Sequence, residues 1–206
     1  VFFNSPKVLY DEMNDHSVFI IPHRLKGEDK IHEKKWGKYN VGYMMFKNDA
    51  DGEALLVWWS KKCLEWCYYK VEENRAGDQK YLDFFSTIYP DTIESKNHGA
   101  GIGNWNIHYY NYKLKNQVLF ISPQNVPLIV LHFNKVEVLT KNGWILNDGR
   151  GFFKYKSILK PYANYLLKAI NKVDNIESDF SFGLDKVTFK VLLKSIIRGQ
   201  ITKGKP

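Results

Sequence analysis

The chain has 206 residues, 44% hydrophobic and 16% aromatic, with 30 Lys and Arg against 22 Asp and Glu for a net charge of +8. That length suits one domain with a proper core, or one domain and a tail, and the charge attracts anions, although solvated lysine-rich faces are the simpler reading of charge alone. No apolar run reaches the length of a membrane-spanning helix, and the opening residues have neither the basic nor the apolar region of a signal peptide.

In chain order, residues 17–22 (SVFIIP) form a short apolar run that predicts a buried strand, and 41–46 (VGYMMF) predict a second. Acids at 48–53 suit a helix N-terminus, and a helix over 52–69 would bury Leu55, Trp59, Cys63 and Trp66 at spacings of three and four. Residues 78–89 predict another helix, with Tyr81, Leu82 and Phe85 on one side. Residues 118–121 and 128–133 read as strands, and 136–146 as a hairpin turning at Asn142-Gly143. Beyond Asn147, residues 155–173 predict a helix with Tyr162, Tyr165, Leu166 and Ala169 on one face. Residues 175–183 are a polar break, 185–198 a basic amphipathic helix, and 202–206 a ragged tail. Intermingled strands and helices up to Asn147 imply an α/β layer structure over 1–150, and 151–206 a C-terminal helical extension.

Two cysteines, Cys63 and Cys67, stand one helical turn apart, too far for ordinary disulfide geometry on a helix. Without a second pair at zinc spacing they read as reduced core thiols in a cytosolic protein. Gly77-Asp78-Gln79 opens the helix over 78–89. Asp78 can cap that helix, and it can also offer a carboxylate at the mouth of a cleft, with Gln79 donating and accepting beside it.

The ordered series Asn40-Val41-Gly42, Trp58-Trp59, Glu65-Trp66-Cys67-Tyr68, Gly77 to Asp83 (GDQKYLD), Gly99 to Asn106 (GAGIGNWN) and a strand ending in His132-Phe133 resembles bacterial glycosyltransferases of the GT-A fold that build surface polysaccharides. The resemblance covers roughly residues 1–150. It implies a GT-A-like mixed sheet flanked by helices and transfer of a sugar from a nucleotide-diphosphate sugar to a hydroxyl of a carbohydrate or lipid-linked acceptor. It places Asn40 and Gly42 along the donor sugar, Asp78 as catalytic base if the reaction inverts, and Gln79 beside it. The loop residues Gly103, Asn104, Trp105 and Asn106 would lie near the site. His132 would complete the shell of a divalent metal, manganese in preference to magnesium. The family's aspartate-x-aspartate pair and its nucleotide-binding half would precede Val1, so the chain reads as the later part of such an enzyme.

Each residue also has a structural reading. Gly42 suits a strand bulge, Trp105 a hydrophobic anchor, and His132 a structural strand end. His23 matches a family block and would shape the site, while Arg24 would meet a phosphate or lie exposed. The alternative function is a non-catalytic carbohydrate-binding or scaffold module derived from such an enzyme. No nucleic-acid motif is recognisable. The expected place is the cytoplasm, with the basic helix over 185–198 seating the protein at the inner face of a membrane.

Overall fold

The computed structural model describes residues 1–116, 118–134, 136–140, 144–147, 156–178, 188–198 and 201–203. In chain order the elements are α1 (Lys7–Met13), β1 (Val18–Pro22), α2 (Ile31–Trp36), β2 (Tyr39–Phe46), α3 (Ala50–Glu65), β3 (Val71–Glu72), β4 (Arg75–Ala76), α4 (Phe85–Ile88), β5 (Thr92–Glu94) and β6 (Ile102–Gly103). Then follow β7 (Asn111–Lys115), β8 (Val118–Ser122), β9 (Val126–Pro127), β10 (Leu131–His132), β11 (Val136–Val138), β12 (Trp144–Asn147), α5 (Lys156–Asp174), α6 (Phe189–Ile197) and β13 (Ile201–Lys203). Short 3-10 turns cover Gly27–Lys30, Gln79–Phe84 and Ile107–Tyr109. The architecture is mixed α/β with several small sheets. The chain divides into two compact units, Val1–His132 and Phe133–Pro206. The boundary expected at 150 falls among residues outside the described ones.

In the first unit β1 is the central strand, between antiparallel β2 and parallel β5. All five of its residues are buried, as a continuous apolar run in a sheet covered on both faces should be. Phe19 and Ile21 face one core with Leu9, Met13, Ala100, Ile129 and Val130. Val18 and Ile20 face the other with Leu55, Leu82 and Phe85. The β1–β2 register breaks sharply: Phe19 pairs with Met45, whereas Ile21 pairs with Asn40. The extra residues of β2 therefore bulge out of the ladder, and Gly42 sits in that bulge.

Helix α3 starts where the acids predict, with Asp49 Oδ1 accepting from the Gly52 N–H at 2.9 Å. It ends at Glu65, short of the expected 69, because Trp66 turns extended. The Trp66 ring is buried, and its carbonyl accepts from Tyr81 Oη at 2.9 Å, so tertiary anchoring overrides the helical pattern. Cys67 consequently lies beyond the helix and is exposed, a correction to its reading as a core thiol; Cys63 is half-buried and both are free. Burial, then Cys67 and Asp78 nearby, pushes the Cys63 thiol up to about 11.

The helix expected over 78–89 is a 3-10 turn followed by the short α4, with Tyr81, Leu82 and Phe85 buried as predicted. The capping role for Asp78 is not realised: its side chain makes no cap bond. Strand β8 pairs with β7 and β9. Of the strand expected over 128–133, only Leu131–His132 pairs in a ladder, parallel to β6. The residues before it give their N–H groups to Leu119 and Gly99 carbonyls.

In the second unit β11 and β12 pair antiparallel in the expected hairpin; the turn residues Asn142-Gly143 lie outside the described residues. The ragged tail is corrected in part, since β13 adds to β12 with Thr202 opposite Ile145. Helix α5 forms as predicted but buries a different face: Ile158, Leu159, Ala163 and Leu167 are inside, while Tyr165 is 68% exposed. Tyr162 stacks flat on Phe133, ring centres 4.1 Å apart. Helix α6 is shorter than 185–198 and starts from a Thr188 cap. No helix among the described residues is long and apolar enough to cross a membrane.

Candidate functional site

The carboxyl end of a central strand is where α/β sheets place ligands, and β1 ends there in His23 and Arg24. His23 is buried, and its Nδ1 lies 3.1 Å from both the Gly37 and Lys38 carbonyls. Two acceptors require Nδ1 to carry the proton, so Nε2 presents its lone pair. Burial lowers the His23 pKa against the opposing pull of those carbonyls. Arg24 corrects both expectations for it. It is neither exposed nor free for a phosphate: its guanidinium donates to Ala100 O (2.8 Å), Ser95 O (2.8 Å) and Asn97 O (3.1 Å). Burial lowers its pKa, too.

Asn106 is completely buried and organises the glycine-rich loop. Its Oδ1 accepts from Gly103 N (3.1 Å), and its Nδ2 donates to His23 O (2.7 Å) and Gly101 O (3.0 Å). The loop is thereby tied to the end of β1, and Gly103 is placed opposite His132 in the parallel β6–β10 pair. Trp105 folds back over Gly103, where a Cβ would meet the indole at 2.7 Å or less. Its ring centre stands 5.2 Å from His23, edge to face, and 5.5 Å from His132. The indole Nε1 is buried and has no partner among the described residues.

The bulge in β2 reaches the same place. A Cβ on Gly42 would overlap the His132 ring and lie 2.9 Å from Asn40 Oδ1, so only glycine admits this approach. Asn40 is buried and holds the bulge from inside: Nδ2 donates to Ile21 O (3.1 Å) and Oδ1 accepts from Gly42 N (3.0 Å). Asn40, Gly42, Gly103, Trp105, Asn106 and His132 are thus assembled around His23. Asn104 is buried in the same loop. The amides of Asn40 and Asn106 are engaged within the protein and shape the site.

Asp78 and Gln79 belong to a neighbouring segment. Trp59 Nε1 donates to Asp78 O (2.9 Å), and Gln79 Nε2 donates to Trp36 O (2.9 Å). The Asp78 carboxylate makes no hydrogen bond or ion pair among the described residues. Gly37 links the two groups, since its carbonyl faces His23 while its Cα packs on the Gln79–Lys80 backbone. No hydrogen bond joins Asp78 to the His23–His132 cluster. The ring nitrogens of His132 are likewise unbonded among the described residues, and burial lowers its pKa. His132 is able to offer one metal ligand; no group of three His, Cys, Asp or Glu suited to a metal occurs among the described residues.

His23 was legible only as a shaping residue in Ile-Pro-His-Arg; its position directly after an apolar strand was the available signal. It sets a pH dependence. Its folded-state value lies below the free value of 6.5, so its contribution to stability is complete above pH 6.5 and is lost as pH falls through the depressed folded value. His98 and His132 are lowered by burial as well and act in the same direction. Melting followed by circular dichroism should therefore show a midpoint that drops below pH 6.5. The drop should be shallower in His23→Asn, whose amide can replace the Nδ1 donor. An identical acid slope in that variant would remove His23 from the account.

No protein-family model matches the chain, and no solved structure matches it. It is 30% identical over 147 residues to the uncharacterized protein YfnF of Bacillus subtilis (strain 168), an alignment that takes in 68% of this chain and 48% of YfnF. It is 24% identical over 181 residues to the uncharacterized protein YfnD of the same organism, covering 87% of this chain and 58% of YfnD. The chain thus spans about half the length of the curated relatives it matches.

Proposed function

We propose that the chain is the acceptor-side part of a GT-A-like glycosyltransferase that moves a sugar from a nucleotide-diphosphate donor to a hydroxyl acceptor in surface polysaccharide or glycolipid synthesis. The observation that carries the reading is the convergence of three separate motif blocks at the end of β1: Asn40-Val41-Gly42 in the β2 bulge, Gly103 to Asn106 in the glycine-rich loop, and His132 on β10. Motifs that define the family resemblance in sequence order meet in space, around two glycines that admit the His132 and Trp105 rings. The central strand β1, with a parallel and an antiparallel neighbour, suits the proposed sheet.

In this reading the site holds donor and acceptor in line, which supplies much of the acceleration. Asp78, with its carboxylate unbonded, takes the proton of the acceptor hydroxyl if the reaction inverts. A divalent metal, manganese in preference to magnesium, would neutralise the leaving diphosphate, with His132 as one ligand from this chain. The cytoplasm is the proposed place of action. Helix α6, with Phe189, Leu193, Ile196 and Ile197 exposed among Lys190, Lys194 and Arg198, is the proposed contact with a membrane surface.

The test is Asp78→Asn in the full-length protein, following release of nucleoside diphosphate with Mn²⁺ and an acceptor. Turnover should fall about 10²- to 10⁴-fold, the usual contribution of a positioned base. Thermal stability should not change, because the side chain holds nothing in place. Undiminished turnover would remove Asp78 as the base.

A further inference from the structure

The segment between α3 and Asp78 presents aromatic rings that no core accounts for. Tyr69 is 94% exposed and Tyr68 66% exposed. One face of Tyr69 stacks on Trp36, with ring centres 5.2 Å apart and planes at 28°. The other face is open. Isolated exposed rings are ordinary, but these each rest on a tryptophan, Tyr68 edge-on against Trp66, and their backbone is held. The Tyr68 carbonyl accepts from both Lys70 N (2.7 Å) and Gly77 N (3.1 Å), closing the base of the β3–β4 hairpin. Gly77 immediately precedes Asp78. Gln79 completes the connection through its bond to the Trp36 carbonyl, leaving its Oε1 open to a donor.

We infer that Tyr69, backed by Trp36, and Tyr68, packed edge-on against Trp66, with Gln79 at the border, form a binding subsite for a carbohydrate chain, leading its hydroxyl toward Asp78. The inference rests on the glycosyltransferase reading for the word acceptor, and on this surface alone for carbohydrate. A pyranose presents an apolar C–H face to an aromatic ring and hydroxyls around its rim, which matches an open tyrosine face edged by amide and phenol groups. The charges of the hairpin itself are paired with one another. Glu72 is paired to Lys70 at 3.0 Å and to Arg75 at 2.7 Å, and the Arg75 guanidinium lies over the Trp66 ring. The Lys70 and Arg75 cations are thus engaged within the hairpin, whereas Lys34 and Lys35 of α2 are exposed. The hairpin bonds hold the backbone that carries the rings, which lowers the ordering cost of binding a flexible glycan.

The experiment is saturation-transfer NMR on the full-length protein with neutral oligosaccharides of increasing length: β1,4-linked glucose, β1,4-linked N-acetylglucosamine and α-linked mannose series. At least one series should bind, tightening as units are added. Tyr69→Ala should weaken it about tenfold, the scale of one lost aromatic contact. Tyr69→Phe should restore it, and the melting temperature of both variants should equal that of the wild type. In turnover assays Tyr69→Ala should raise KM for the acceptor and leave KM for the donor alone. The inference is overturned if no series binds, if Tyr69→Ala binds as the wild type does, or if the rings instead mediate self-association that Tyr69→Ala abolishes. Failure of the glycosyltransferase reading is distinguishable: it appears as no nucleoside-diphosphate release from the wild type, while glycan binding at Tyr69 is read separately.

Discussion

Arg24→Met is expected to destabilise the first unit by about 3 kcal/mol, because the Ala100 and Ser95 carbonyls would lose the guanidinium donor and the Asn97 carbonyl would keep only the Ala100 N–H. Arg24 has a left-handed backbone, φ 52°, which turns the chain sharply after β1 and aims the side chain back at the loop over residues 95–100. Glu12 braces the same loop from α1, accepting from Ser95 Oγ at 3.0 Å and from the Lys96 N–H. Arg24→Lys should recover only part of the loss, since a single ammonium lacks the planar fork that spans three acceptors. Urea unfolding of both variants measures this, and a Met variant as stable as the wild type would show that water replaces the guanidinium at no cost.

Asn106→Ala carries the other large effect, about 2–4 kcal/mol. It strips the Gly103 N–H and the His23 and Gly101 carbonyls of their partner in a fully buried position. Asn106→Asp is the sharper variant. It keeps the size but aims a carboxylate oxygen at two carbonyls, so it should be worse than alanine. If the proposed glycosyltransferase reading holds, nucleoside-diphosphate release should fall with it, because the same amide sets Trp105 and Gly103 beside His132. Arg24 and Asn106 secure one loop at two points, so their effects should not add, and a double-mutant cycle would read the coupling. Strict additivity would mean that the loop has two independent halves.

Local pattern made parts of this molecule readable. β1 was visible as an unbroken apolar run, and the start of α3 as an acid cluster whose Asp49 does cap it. The motif order located the residues that meet around His23. What escaped is decided by partners distant in the chain. Arg24 looked like a surface residue because the carbonyls that receive it lie more than 70 residues later. The end of α3 was misjudged because Trp66 is drawn away by Tyr81. Asp78 follows the sequence rule for a cap, yet its own backbone is already helical as it enters the 3-10 turn and its side chain makes no cap bond. The face of α5 was misread because tyrosines score as core material, whereas Leu159, Ala163 and Leu167, four apart, make the tighter seam. Glycine at 42 sits in the bulge that the pattern allowed, and the group that approaches it closely is the His132 ring.

The stretch at residues 2–4 lies against residues 128–130: Phe2 bridges Val130, Phe3 N donates to Ile129 O at 2.8 Å, and Asn4 Nδ2 reaches Leu128 O across 124 residues. Ile129 and Val130 also close the core over Phe19 and Ile21. Such pairing gives the first unit a high contact order, with loop closure to be met before any of these contacts rewards it. Leu9 and Met13 can cover part of that side of β1 early, but a nascent chain must wait for more than a hundred further residues before Ile129 and Val130 complete it. The unit should therefore fold slowly and late during synthesis, with its central strand as the surface that chaperones meet first.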